Sequence, residues 1–153
     1  MNIEDLLVTE LVFADFKASS KKQALQSLSR RWAEVHGFDD RLAMEKLLDR
    51  ERLGSTGVGK GIAIPHARIE GLTKISGVFA RLAAPVDFDA VDDVPVDLVF
   101  MLFAPENAGA DHLKALAKVS RLLRDSIACD KLRQTTNANA LYAMIVQPAS
   151  NAA

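Results

Sequence analysis

Arg50-Glu-Arg-Leu-Gly54-Ser-Thr-Gly57-Val-Gly59-Lys-Gly61-Ile-Ala-Ile-Pro65-His66-Ala-Arg68 is the stretch on which the reading of this chain turns. Four glycines fall within the eight residues 54–61. The apolar run Ile62-Ala63-Ile64 has the composition of a short strand. Pro65 ends it, because proline has no N–H to give a sheet. His66 is thereby expected at a strand end, beside a loop with many free backbone N–H groups. That combination suits an anion, above all a phosphate.

A nucleotide-binding loop is the first alternative. Gly54 to Lys60 satisfies G-x-x-x-x-G-K, but the next residue is Gly61, where magnesium binding needs Ser or Thr. The context is also inverted. A P-loop follows a strand and opens a helix, whereas this loop follows a helical segment and opens a strand. A turn whose glycines take positive φ is the plainer account.

Working outward, the residues before the loop read as two helices. Ser19 and Ser20 are N-cap candidates, and Ala24, Leu25, Leu28 and Trp32 recur at helical spacing, which predicts a helix near 20–35. His36-Gly37 closes it. His36 there sits where the helix dipole favours a cation and reads as surface chemistry. Asp39 and Asp40 open a second helix carrying Leu42, Met44, Leu47 and Leu48, with Gly54 as its stop. Arg50 therefore falls in its last turn, aimed at the glycine loop. Leu11-Val12-Phe13 and Phe16 suggest an early strand.

Beyond the loop, Ile75–Leu82 and Leu98–Phe103 read as strands. The second is apolar on both faces, the pattern of a central strand covered on both sides. The acidic stretch between them, 85–97, reads as a turn or edge segment. Its Asp87, Asp89, Asp92 and Asp93 lack the glycine and glutamate that a calcium loop needs. A helix from about Asp111 carries Leu113, Leu116, Ala117, Ser120 and Leu123 on one face and places His112 in its first turn. Helices near 130–135 and 138–147 follow, and the tail from Pro148 is expected to fray. Strands interleaved with helices argue an α/β sandwich.

The 153 residues, 49% hydrophobic and 25% charged, fit one soluble domain spanning 1–153. A net charge of −1 gives no footprint for nucleic acid. No apolar run approaches the ~20 residues of a membrane helix, so membrane insertion is not expected. The acidic start, Met1-Asn-Ile-Glu-Asp5, lacks the basic residues of a signal peptide, and a cytoplasmic location is expected. A single cysteine, Cys129, excludes an internal disulfide and reads as a small buried apolar residue. His36, His66 and His112 show no metal-binding spacing, so no metal and no cofactor is expected. His66 and His112 form the sharper pair. One follows a strand end and the other opens the helix after the central strand, and ligands of open α/β sheets gather there. A helix N-terminus favours the neutral imidazole, which is the nucleophilic form.

Gly61-Ile-Ala-Ile-Pro-His66 resembles the phosphorylation-site motif of the EIIA proteins of the bacterial phosphotransferase system, in the fructose/mannitol-type superfamily. The wider stretch from Arg50 to Gly61 is similar to the nitrogen-regulatory branch of that family. The resemblance extends through Phe88–Phe100 and Asp111-His112-Leu113 and covers nearly the whole chain. Ala67 departs from it, standing where many relatives have Gly.

The resemblance implies a mixed β-sheet flanked by helices on both faces. It implies His66 as phosphoacceptor, His112 as second active-site histidine and Arg50 as active-site arginine. It further implies a phosphoryl donor that is an HPr-like protein (NPr), itself charged by a phosphoenolpyruvate-dependent enzyme I. The implied output is regulation of protein partners, such as ion-transport or kinase regulators, according to phosphorylation. The sugar-specific alternative passes the phosphate to an EIIB domain. From the residues themselves, the loop around Ser55 and Thr56 is expected to add donors to the phosphate.

Overall fold

The computed structural model describes residues 1–147. Two short 3-10 turns, Ile3–Asp5 and Thr9–Leu11, lead into strand β1 (Val12–Phe16). Helices α1 (Lys21–His36) and α2 (Asp40–Arg52) follow. The short strands β2 (Gly57–Gly59), β3 (Ile62–Ala63) and β4 (His66–Ile69) come next. The long strands β5 (Ser76–Val86) and β6 (Val96–Pro105) precede α3 (Ala110–Arg124), α4 (Ser126–Gln134) and α5 (Ala138–Val146). The six strands form one mixed sheet in the order β1-β5-β6-β3-β2, with β4 also on β6.

Strand β6 is the axis. It runs antiparallel to β5 and parallel to both β3 and β4. Its side chains alternate between two cores, as a strand covered on both faces requires. Val99, Met101 and Phe103 meet Leu25, Leu28, Trp32 and Leu47 of α1 and α2. Leu98, Phe100 and Leu102 meet Ala115, Val119, Leu132 and Leu141 of α3, α4 and α5. Helices therefore flank both faces, as expected. Each buried Phe or Leu stabilises the fold by about 1.5–3 kcal/mol relative to exposure. Trp32 stacks on Phe103 with centroids 4.0 Å apart, and its Nε1–H donates to Ser76 Oγ at 2.8 Å.

The caps explain the helix boundaries. Ser20 accepts from the Gln23 N–H, and Gly37 closes α1 at φ +76°. Asp39 accepts from the Arg41 N–H to open α2. Helix α4 begins at Ser126, earlier than the expected 130, because the Asp125 carboxylate accepts the N–H groups of Ile127 and Ala128.

Three expectations are corrected. Pro65 follows the end of β3, as expected, but it does not take the chain off the sheet. The chain pairs with β6 as β3, breaks at Ile64-Pro65 and pairs again from His66, so His66 begins a strand. Proline's missing N–H interrupts the ladder there, yet its carbonyl still accepts from the Leu102 N–H at 2.9 Å. The glycine loop is not open either; β2 and β3 make it a hairpin. Finally, the buried stripe of α3 is His112, Ala115, Val119 and Leu123, while Leu113 is 68% exposed. The helix is rotated so that its histidine faces the sheet. The expected frayed tail from Pro148 lies outside the described residues.

Candidate active site

Helix α2 delivers Arg50 to the end of the sheet where β4 begins. The side chain is held at both ends. Its Nη1 donates to the Gly54 carbonyl at 2.8 Å, and its Nε donates to His66 Nε2 at 3.2 Å. His66 is fixed from the other side, with Nδ1 2.9 Å from the Ile64 carbonyl oxygen. A carbonyl can only accept, so Nδ1 carries the proton. Nε2 must then be the bare nitrogen, which agrees with its accepting from Arg50. The two contacts select one neutral tautomer with its lone pair on Nε2.

Burial lowers the proton affinity of His66 below the usual histidine range. The Arg50 charge acts in the same direction, while the Ile64 carbonyl and Glu51 oppose it. The neutral form is therefore the resting form near pH 7.

His112 lies beside it. The two rings meet edge to face, with centroids 5.6 Å apart and planes at 73°. His112 is only 6% exposed, and its Nε2 is buried without a hydrogen-bond partner among the described residues. Its pKa is lowered to about 4 by burial first, then by His66 and Arg68. Its neutrality thus comes mainly from burial, where the sequence pointed to the helix dipole. Leaving a buried polar atom unpaired costs about 1–3 kcal/mol, so this nitrogen can take a donor or acceptor at the site with no bond to break.

The structure thus brings His66, His112 and Arg50 together. Ser55 and Thr56 sit differently. Ser55 Oγ donates to the Phe88 carbonyl at 2.5 Å and accepts from the Gly57 N–H at 3.0 Å. The Thr56 N–H and hydroxyl both donate to the Glu51 carboxylate, at 3.1 and 2.5 Å. The Lys60 N–H goes to Asp92 at 2.8 Å. Both hydroxyls and the Thr56 and Lys60 N–H groups are thus bonded within the fold.

Two side chains at the site escaped sequence reasoning. Arg68 lies two residues along β4 from His66, on the same face, and donates to the Glu106 carbonyl at 2.9 Å. Glu51, next to Arg50, is nearly buried and holds Thr56. Period-2 alternation from His66 could have flagged Arg68; Glu51 carried no periodic signal. His36, expected to favour a cation, has its pKa lowered by burial and by Lys74. Its ring lies 5.4 Å from Trp32, and that packing outweighs the helix terminus. Among the described residues, no three His, Cys, Asp or Glu side chains cluster as a metal site. No described helix is long and apolar enough to cross a membrane.

The geometry can now be set beside known proteins. Residues 5–147 match the family model described as "Phosphoenolpyruvate-dependent sugar phosphotransferase system, EIIA 2". The chain is 52% identical over 153 residues to a nitrogen regulatory protein of Bradyrhizobium diazoefficiens, covering 100% of both chains. It is 38% identical over 132 residues to a fructose-specific EIIA component of Haloferax volcanii, covering 86% of each. The crystal structure of nitrogen regulatory protein IIA-Ntr from Neisseria meningitidis superposes with a TM-score of 0.88 at 34% identity, covering 94% of this chain and 98% of that one. The chain belongs to the EIIA 2 family of the phosphoenolpyruvate-dependent phosphotransferase system, and within it resembles the nitrogen regulatory proteins.

Proposed function

We propose that this protein is a phosphohistidine carrier that takes a phosphoryl group on His66 Nε2. The observation that carries the reading is the double restraint on the His66 ring. Ile64 holds the Nδ1 proton and Arg50 caps the Nε2 lone pair, so one nitrogen of one histidine is prepared to attack.

The chemistry follows from the atoms present. The Nε2 lone pair attacks phosphorus in line, and an N–P bond forms as the donor's own N–P bond breaks. The electron pair of the broken bond returns to the donor's imidazole nitrogen. Nδ1 keeps its proton, and the Ile64 carbonyl stabilises the positive charge gained by the ring. Arg50 turns its N–H groups from Nε2 to the phosphoryl oxygens, where a planar fork suits two of them. His112 Nε2–H donates to another, which ends its isolation. Positioning and charge stabilisation supply the catalysis, as phosphoryl transfer generally requires.

The donor is an HPr-like protein of the nitrogen branch, charged in turn by an enzyme I. The phosphoryl group then alters the charge of the surface around His66 and so selects protein partners. Similarity to nitrogen regulatory proteins at 52% identity favours this branch. A fructose-specific relative at 38% keeps transfer to an EIIB domain as the second reading.

The test is NMR of the phosphorylated, 15N-histidine protein. A 31P–15N coupling to Nε2 of His66 is expected. Coupling to Nδ1, or an acid-stable phosphate without coupling, contradicts the reading.

A further inference from the structure

We propose that Glu51 is a positioning residue for His66, acting from a buried knot of Lys21, Glu51 and Thr56 behind the site; this deepens the phosphocarrier reading and rests on it. The Glu51 side chain is 5% exposed, and an ionised carboxylate so deep must be paired. Three donors meet it. Lys21 Nζ lies 2.9 Å from Oε1, the Thr56 N–H lies 3.1 Å from Oε1, and the Thr56 hydroxyl lies 2.5 Å from Oε2. Lys21 opens α1 and Glu51 lies in the last turn of α2, so the knot ties two helices to the start of the hairpin. Lys21 also reaches the Phe88 carbonyl at 3.4 Å, the same oxygen that accepts from Ser55.

The knot connects to the reacting ring in short steps. Glu51 holds the Thr56 N–H; the Thr56 carbonyl accepts from the Ile64 N–H at 3.0 Å; the Ile64 carbonyl holds His66 Nδ1 at 2.9 Å. Where the Ile64 carbonyl stands decides which tautomer His66 adopts. Arg50, the other restraint on His66, is the neighbour of Glu51 in the same helical turn. The Glu51 charge also opposes burial and Arg50 in setting the basicity of His66.

A purely structural role would not need a charge here. Well-packed apolar residues replace buried ion pairs at little or no cost in many proteins. The carboxylate instead fixes an oriented chain of hydrogen bonds that ends on the nucleophile. Ser55 and Thr56 belong to this support behind the site.

The experiment compares wild type, Glu51→Gln and Thr56→Val by 15N NMR of the histidine rings. The same proteins are then followed in single-turnover phosphorylation by a phosphorylated HPr-type donor. Wild-type His66 is expected as a single Nδ1-protonated tautomer. In both variants its ring shifts move towards a tautomer average. The rate at saturating donor falls about 10- to 100-fold in Glu51→Gln, and the half-saturating concentration stays unchanged. Thr56→Val keeps the amide and the shape but removes the hydroxyl that fixes Oε2, which frees the carboxylate that orients the Thr56 N–H, and it carries the test if Glu51→Gln does not fold. Unchanged His66 shifts in the folded variants overturn the proposal, as does a slowed rate that appears only as weaker donor binding. Shifted rings in the variants, together with a wild type that accepts no phosphoryl group, would uphold the positioning role and overturn the carrier function.

Discussion

Arg50 donates its Nε–H to the bare Nε2 of His66 at 3.2 Å, so the resting nucleophile is capped by a cation. The same guanidinium is anchored at Gly54 through Nη1; in the proposed transfer, a small swing about that anchor takes Nε from nitrogen to an incoming phosphoryl oxygen. The contact restrains the tautomer, and in the proposed mechanism it also stores a donor for the transition state.

Arg50→Lys therefore keeps the charge but loses the fork and one of its two simultaneous contacts. Transfer is expected to slow by about 30- to 1000-fold, the equivalent of ~2–4 kcal/mol in a preorganised site, while donor docking persists. Rapid-quench phosphorylation alongside a binding titration separates the two. An undiminished rate would remove Arg50 from the mechanism.

His112→Ala is expected to slow transfer by a comparable factor, because one phosphoryl oxygen loses its donor. His112 itself should carry no label, since its buried Nε2 is assigned to stabilisation. Peptide mapping under alkaline conditions reads this directly, and phosphate on His112 would reverse the assigned roles.

Histidine burial sets a pH dependence of stability. His112 has its pKa lowered to about 4 from an ordinary 6.5. Between those values the unfolded chain binds a proton that the folded chain does not. Stability is then full above pH 6.5 and declines as pH falls towards about 4. His36 and His66, also lowered, add in the same sense. The variant His112→Gln should flatten only its own share of that slope in denaturant melts at a series of pH values. A slope identical to wild type would show that His112 titrates normally.

Two glycines distinguish backbone conformation from packing. At Gly77 an added Cβ would lie 2.6 Å from the Met101 carbonyl oxygen of β6, so Gly77→Ala forces two central strands apart and should cost about 3 kcal/mol or more. At Gly37 no atom of the described residues would lie within 4 Å of an added Cβ, but φ is +76°, so Gly37→Ala should cost only the left-handed penalty of about 1–2 kcal/mol. Equilibrium unfolding ranks the pair, and equal losses would contradict the packing account.

The sequence revealed what rests on local chemistry. Ser20, Gly37 and Asp39 mark helix ends because capping is decided within a few residues. The apolar run of β6 announced a strand buried on both sides. Arg50 could be placed in the last turn of α2, pointing at the loop. The features that stayed hidden depend on distant partners. Pro65 stops a strand locally, but pairing with Leu102 and Phe103 restarts it at His66. In α3, two apolar stripes compete, and docking against the sheet selects the one that contains His112. Ser55 and Thr56 look like anion donors until Phe88 and Glu51 are brought to them by the fold.

The central claim is that His66 accepts the phosphoryl group, and intact mass tests it most directly. Wild type and His66→Ala are incubated with phosphoenolpyruvate, an enzyme I and an HPr-like donor of the nitrogen branch. Wild type should gain one phosphoryl group, stable in base and lost in acid. His66→Ala should fold, because this side chain is partly exposed at the start of β4 and its loss leaves little cavity, and should gain nothing. A phosphorylated His66→Ala protein, or a wild type that remains unmodified beside an active donor, would contradict the account.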